Sequence, residues 1–293
     1  MLDDSCYVLI LNYQSYQDTI DYVGILHKQK SVNIRILIVD NCSPNNSFTI
    51  LLDHFKSVEN VTVIQSERNG GYAYGNNYGL RYLATASIDY ILVSNNDIEI
   101  DDEMLLCKLI KKYKQLDRPA FAAPTMRVNG KPSKYSAWRI PTLMDDLIGS
   151  LGLLQKIFGN KTVYKIKENV DSVAVDCLPG SFFLAKKAIF YNIGLMDEGT
   201  FLYMEEVILA HKVKEINASN YLITSLTYDH TTSKTISSQL SSIKMRAYLI
   251  DSRVYFHREY LKTGKFGLFL LISLFYLWIL ENYLWSKFKS LKV

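Results

Sequence analysis

The 293-residue chain has little that would staple it, anchor it to nucleic acid or export it. Its four cysteines, Cys6, Cys42, Cys107 and Cys177, lie far apart with no CxxC pair. That argues against a disulfide framework or a thiolate zinc site and for reduced core thiols in a cytosolic compartment. The net charge of +4 is too small to imply a nucleic-acid surface, so no nucleic-acid partner is expected. The start, "MLDDSC", is acidic and lacks the basic opening and apolar run of a signal peptide, so the working part is expected in the cytoplasm. There is no internal repeat and no low-complexity segment. There is no GxxxxGK[ST] loop, and the first strand does not lead into GxGxxG, which argues against NAD binding by that fingerprint.

What is present is core-forming. Hydrophobic residues make up 48% and charged residues 21%, enough for one large α/β domain with an appendage, or two small domains. Short apolar runs alternate with helical patterns. "CYVLILNY", "IRILIVDN", "VTVIQSE" and "YILVSNND" read as four strands. Between them, residues 15–30 carry helical spacing, Ser43-Pro44 marks a helix start, "GYAYGNNYGLRYLATAS" reads as a Gly-led helix, and residues 101–116 form an amphipathic one. This alternation predicts a mainly parallel sheet flanked by helices. Past residue 121 the pattern loosens, with a helix expected around residues 143–158. "SVAVDCLPGSFFLAKKAIF" then reads as strand, turn, strand and helix, and "YLITSLTYDH" as a last strand.

Ligands of such sheets sit beyond the carboxyl ends of the strands. Tyr13, Asp40, Asn41 and Asp97 fall at those ends, with Asn95 beside Asp97. The carboxylate pair Glu205 and Glu206 and then His230 follow further along. Asp and Asn oxygens suit a hard cation, Mg²⁺ or Mn²⁺, and a histidine favours Mn²⁺. A metal held by few protein groups completes its shell with substrate phosphates, so a nucleoside diphosphate is the expected ligand.

Five stretches, in order, carry a resemblance. "VLILNYQSY", "ILIVDNCSPNNS", "NGGYAYGNNYGL", "VSNNDIEI" and "GSFFLAKKAIFYNIGLMDEGTFLYMEEVILAHK" resemble the motifs of family-2 inverting glycosyltransferases of the GT-A fold. The nearest likeness is to rhamnosyltransferase-like members that build bacterial surface polysaccharides. The resemblance covers roughly residues 7–230. It implies a nucleotide-binding set of Asn12, Tyr13, Asp40, Asn41, Ser43, Asn69, Gly71, Asn77 and Asn96, with Gly75 in the third stretch. It implies metal ligation by Asp97, assisted by Asn95, and by His230, which lies 24 residues after Glu206. It places the catalytic base at Glu206, with Glu205 before it. Trp138 and Arg139 in "SAWRI", and Gly180, fall on the acceptor side. One departure stands out. The family commonly reads Glu-Asp-x-Asp-Leu-x-x-Arg, whereas here the base position is Glu206, Ile208 replaces the second Asp and Lys212 replaces the Arg.

The expected organisation is a catalytic domain over residues 1–232, with a donor half to about residue 120, followed by a helical segment over residues 233–293. Within that segment "FGLFLLISLFYLWIL" is fifteen residues without a charge. Extended to Trp285 it is an apolar helix of about 30 Å, the thickness of a bilayer core. A helix lying on or dipping into the membrane is expected, against a buried core helix or a homo-oligomer contact as the alternative. The implied partners are a nucleoside-diphosphate sugar and a polyprenyl-diphosphate-linked saccharide at the cytoplasmic face of the cell membrane. Rhamnose from a dTDP donor is the first expectation. A UDP-dependent galactofuranosyl or hexosyl transferase, and a non-catalytic nucleotide-binding scaffold, are the alternatives.

Overall fold

Strands β1 (Ser5–Asn12), β2 (Asn33–Asp40), β3 (Val61–Gln65) and β4 (Tyr90–Ser94) pair in parallel in the order β3-β2-β1-β4. The structure, a computed structural model, describes residues 4–149, 162–164, 170–230 and 242–290. Alternate strand residues feed two cores. Val8, Ile10, Ile36, Ile38 and Leu92 point to one face, and Leu9, Leu37, Val39, Ile91 and Val93 to the other. Burial on both faces is why these runs are almost wholly apolar. Helices α1 (Tyr16–Leu26), α2 (Ser47–Phe55) and α4 (Leu105–Tyr113) cover the first face through Tyr22, Leu26, Leu51, Phe55 and Leu109. Helix α3 (Tyr72–Tyr82) covers the second. It can lie close because Gly79 faces the sheet: a Cβ there would sit 2.3 Å from Leu9 Cδ1.

The second half closes the sheet with both strand directions. Strand β9 (Phe182–Lys186) inserts antiparallel between β4 and β6 (Pro119–Val128), and β10 (Ser219–His230) runs parallel to β6. The short β5 (Ile98–Glu99) and β8 (Ser172–Val175) pair antiparallel with β10, and β7 (Lys131–Pro132) with β6. The sheet is therefore mixed, with its parallel strands in the majority.

Two helices differ from the sequence expectation for local reasons. Helix α2 begins at Ser47 and not after Ser43-Pro44. Ser43, the expected cap, is held by the end of β2: its N–H and Oγ both donate to the Asp40 carboxylate, at 2.9 and 2.7 Å. Helix α4 starts later than residue 101 because the Asp102 carboxylate accepts the Met104 N–H at 2.9 Å and makes a turn. Helix α5 (Leu143–Gly149) accounts for the start of the helix expected over residues 143–158; the remainder lies outside the described residues.

Helix α6 (Lys187–Asn192) follows β9, and α7 (Glu205–Glu215) precedes β10. Helices α8 (Ser242–Glu259) and α9 (Lys265–Ser290) form the C-terminal part. Helix α8 packs on α7: Phe256 joins Met204, Val207, Ile208, Ala210 and Cys177 in a small core. Ile208, at the position where the resembled family carries Asp, is buried in that contact. An ionised side chain there would be desolvated under Phe256, so the apolar replacement matches the helix that covers it. Helix α9 buries Leu271 and Phe275 against Ile250 of α8 and Leu143 of α5. Its other side leaves Phe266, Phe269, Tyr276, Leu277 and Leu280 exposed. Among the described residues no helix is long and apolar enough to cross a membrane.

Candidate active site

The rim of the sheet is built as a hydrogen-bonded floor. Asp40, at the end of β2, is fully buried and accepts from Asn12 Nδ2 at 2.7 Å, from both donors of Ser43, and from Gln65 Nε2 at 3.2 Å. Asn12 in turn accepts from Thr19 Oγ1 at 2.9 Å. Asn41 donates to Asn69 Oδ1 and to the Gly71 carbonyl, both at 3.1 Å, and accepts from Ser66 Oγ. Asn96 donates to Ser15 Oγ and Thr19 Oγ1, both at 2.8 Å. Of the residues assigned to the nucleotide, Asn12, Asp40 and Asn41 thus shape the floor with their side chains already engaged, while Tyr13, Asn69 and Asn96 are partly exposed at its edge. Asn77 is placed differently from the expectation. It is buried, donates to the Met196 carbonyl and to Glu198 Oε1, and accepts from Met196 N–H at 3.0 Å, which locks α3 to the loop before α7. Its side chain meets this loop and not the strand ends.

The loop at Gly71 admits no other residue. Its φ is +91°, and a Cβ would lie 2.1 Å from the Phe201 carbonyl oxygen, which accepts the Tyr72 N–H at 3.1 Å. Gly71→Ala is expected to cost at least about 2 kcal/mol, combining left-handed strain with displacement of the 201 backbone. A lower denaturation midpoint at unchanged m would register it.

Asp97 and His230 meet at the opposite end of the rim. His230 Nε2 lies 3.2 Å from Asp97 Oδ1, across 133 residues of sequence. The strands account for this: β5 starts immediately after Asp97, and His230 pairs with Ile98 in the β10–β5 register. Arg127 of β6 pairs with Asp229 and Asp101 and pins the same corner. A carboxylate and an imidazole form a suitable partial shell for Mn²⁺ or Mg²⁺. Among the described residues no group of three or more His, Cys, Asp or Glu side chains is set to hold a metal, so Asp97 and His230 would leave most of the shell to substrate oxygens. Asn95 sits next to this pair, with its N–H donating to the Ser181 carbonyl at 2.9 Å.

Glu205 and Glu206 open α7 behind a strained turn, with Tyr203 and Met204 at φ +75° and +69°. Burial, and then the charge of Glu206, push the Glu205 carboxyl up to about 8. Burial also raises Glu206, opposed by donors that include the Gly180 N–H, 3.3 Å from Oε1. Glu205 Oε1 is buried with no hydrogen-bond partner among the described residues. The two carboxyls therefore act as one buried, coupled pair whose burial favours holding a proton between them.

Two adjacent residues, Gly180 and Ser181, link Glu206 to the strand end that carries Asn95 and Asp97. The Gly180 N–H meets Glu206, and the Ser181 carbonyl holds Asn95. Ser181 Oγ also pairs with Tyr228 of β10 at 2.8 Å, and Tyr72 donates to the Gly180 carbonyl at 2.5 Å. Sequence reading assigned Gly180 to the acceptor side and left Ser181, Tyr72 and Tyr228 unremarked. Trp138 is half-buried against the Ile208 cluster, and its backbone pairs with Cys177 at 2.8 and 3.3 Å; Arg139 is exposed beside it. Lys212, at the position usual for Arg, donates to the Leu195 carbonyl at 2.8 Å.

The profile described as Glycosyl transferase family 2 matches residues 7–194. The low-salt glycan biosynthesis hexosyltransferase Agl10 of Haloferax volcanii is 28% identical over 218 residues, covering 74% of this chain and 64% of that protein. The rhamnosyltransferase WbbL of Escherichia coli K12 is 30% identical over 146 residues, covering 47% of this chain and 52% of that one. The matches thus span less than two thirds of the length of these curated relatives. Among solved structures, the mannosyltransferase PcManGT of Pyrobaculum calidifontis, in complex with GDP-Man and Mn²⁺, superposes with a TM-score of 0.60 at 10% identity, covering 92% of this chain and 73% of that one. The architecture is the GT-A fold.

Proposed function

We propose, since the chain belongs to glycosyl transferase family 2, that it transfers a sugar with inversion from a nucleoside-diphosphate donor to a hydroxyl of a lipid-linked glycan. The observation that supports this reading is that Gly180-Ser181 links Glu206 to Asn95, two residues before Asp97 of the Asp97–His230 pair. One group of residues suits a diphosphate and the other suits a hydroxyl. In the reaction Glu206 takes the proton of the acceptor hydroxyl. The acceptor oxygen bonds to the anomeric carbon as the bond from that carbon to the diphosphate oxygen breaks on the opposite face. The nucleoside diphosphate leaves with the electron pair. Asp97 and His230 would hold a divalent cation, which when bound offsets the charge of the leaving group. A proton retained within the buried Glu205–Glu206 pair keeps a second negative charge away from the diphosphate.

Names of relatives support rhamnose and hexose as donor sugars, with rhamnose from a dTDP donor as the first assignment and a UDP-hexose as the second. Calorimetric titration with dTDP and with UDP, each with and without Mn²⁺, tests it. Metal-dependent binding of one nucleotide is expected; binding of neither removes the donor site. Nucleotide binding without turnover of any donor would leave a scaffold.

The exposed side chains Phe266, Phe269, Leu277 and Leu280 of α9, with Lys262 and Lys265 exposed at its start, suit a helix lying on an anionic membrane surface. The chain would then work at the cytoplasmic face, where a polyprenyl-diphosphate saccharide is presented. Removal of residues 266–293 should abolish sedimentation with anionic liposomes, and undiminished sedimentation would sink the assignment.

A further inference from the structure

A cleft of about 490 Å³ lies outside the rim, between the 199–201 loop, α8 and α9. Its volume falls in the range of roughly 300–1,000 Å³ usual for small-ligand sites. Its walls are aromatic and polar together. Phe201 and Tyr248 stack with centroids 4.6 Å apart. The Tyr255 ring lies against Gly199, where a Cβ would come 2.1 Å from Cζ, so only glycine lets the ring sit flush. The Tyr255 hydroxyl donates to Asp197 at 3.0 Å, which fixes the ring. Tyr276 stands at the mouth, 64% exposed. Thr200 is 2% exposed, and its Oγ1 has no hydrogen-bond partner among the described residues.

We propose that this cleft is a subsite for the saccharide body of the acceptor. The inference rests on the transferase reading above and names a second place where that acceptor is held. Three observations favour a neutral sugar. Phe201, Tyr248 and Tyr276 line the cleft with aromatic rings, and the exposed Tyr276 ring can meet the C–H face of a pyranose. Asp251 and Arg258, both lining the cleft, carry opposite charges, so the cleft has no cationic surplus for a phosphate. The orphaned Thr200 hydroxyl is a buried polar group that a ligand hydroxyl can satisfy. The position also fits. The 199–201 wall runs on into Glu205 and Glu206, Ser252 of α8 donates to the Leu202 carbonyl at 2.8 Å, and the Phe201 carbonyl holds the rim loop through Tyr72. A glycan in the cleft is thereby anchored on the segment that presents the base.

Saturation-transfer NMR on the full chain tests this with methyl glycosides of glucose, galactose, N-acetylglucosamine and rhamnose as probes. At least one probe should receive saturation on its ring C–H protons. Its binding should weaken by at least about fivefold in Tyr276→Ala and in Tyr248→Ala, the loss of one aromatic platform. Tyr276 is largely exposed, so its variant does not depend on refolding of the core. Equal transfer in wild type and both variants, or no transfer from any glycoside, overturns the subsite. Displacement of the glycoside by inorganic phosphate overturns it too, by revealing an anion site. Titration of the same samples with dTDP and UDP separates the two readings. Glycoside binding without nucleotide binding would leave a sugar site that serves no transferase and overturn both readings, and nucleotide binding without glycoside binding would keep the transferase and overturn the subsite.

Discussion

Glu206→Gln is expected to lower sugar transfer by about 10²–10⁴-fold, the usual contribution of a positioned base, while nucleotide affinity stays within about twofold of wild type. The amide keeps an oxygen for the Gly180 N–H, so the turn at 180 and the start of α7 should survive, and the loss would report chemistry and not folding. Transfer of radiolabelled sugar to a lipid extract measures it. Glu205→Gln should behave otherwise, because burial and the charge of Glu206 push the Glu205 carboxyl up to about 8. Removing it should leave most of the activity. Two pH dependences follow. The wild-type rate should rise with pH as the pair ionises, since a base must be unprotonated. Stability should fall over the same interval: Glu205 is raised above its unfolded value, so the folded state binds the extra proton between about 4.5 and about 8 and loses that advantage as pH rises. Glu205→Gln should flatten this slope in thermal melts taken across that interval. Full activity in Glu206→Gln together with inactivity in Glu205→Gln would exchange the two roles.

Asp97→Ala is expected to weaken metal-dependent nucleotide binding by about 100-fold or more, since loss even of a group that only supports a metal ligand costs about 10–100-fold. Binding measured without metal should change little. His230→Ala should reproduce the effect more weakly, because imidazole is the softer partner for these ions. The pairing of β5 with β10 sets His230 opposite Ile98, the residue that follows Asp97. Calorimetry with Mn²⁺ held constant reads the effect directly. Retention of the Mn²⁺ dependence in Asp97→Ala would place the ion elsewhere.

The four parallel strands were legible because each is an apolar run ended by polar residues, a pattern that only burial on both faces demands. The gathering of Asp97 and His230 was legible only through resemblance, since nothing local in "LTYDH" distinguishes a ligand from a surface histidine. The saturation of Asn12, Asp40 and Asn41 was hidden for another reason. A side chain at a strand end can face a ligand or a neighbouring loop, and the choice depends on where Ser43, Ser66 and Asn69 come to lie. Asn77 was misplaced likewise, because its partners at 196 and 198 are more than a hundred residues away. The place of Ile208 became intelligible only with α8 above it.

Strand β9 has a consequence for error tolerance. Phe182 and Leu184 enter one core, while Phe183 and Ala185 enter the other. A slip of β9 by one residue would exchange these two pairs between cores of different shape and would also move Gly180 and Ser181 out of step with Glu206 and Asn95. The packing that forbids the slip is thus the gauge that spaces the two halves of the site.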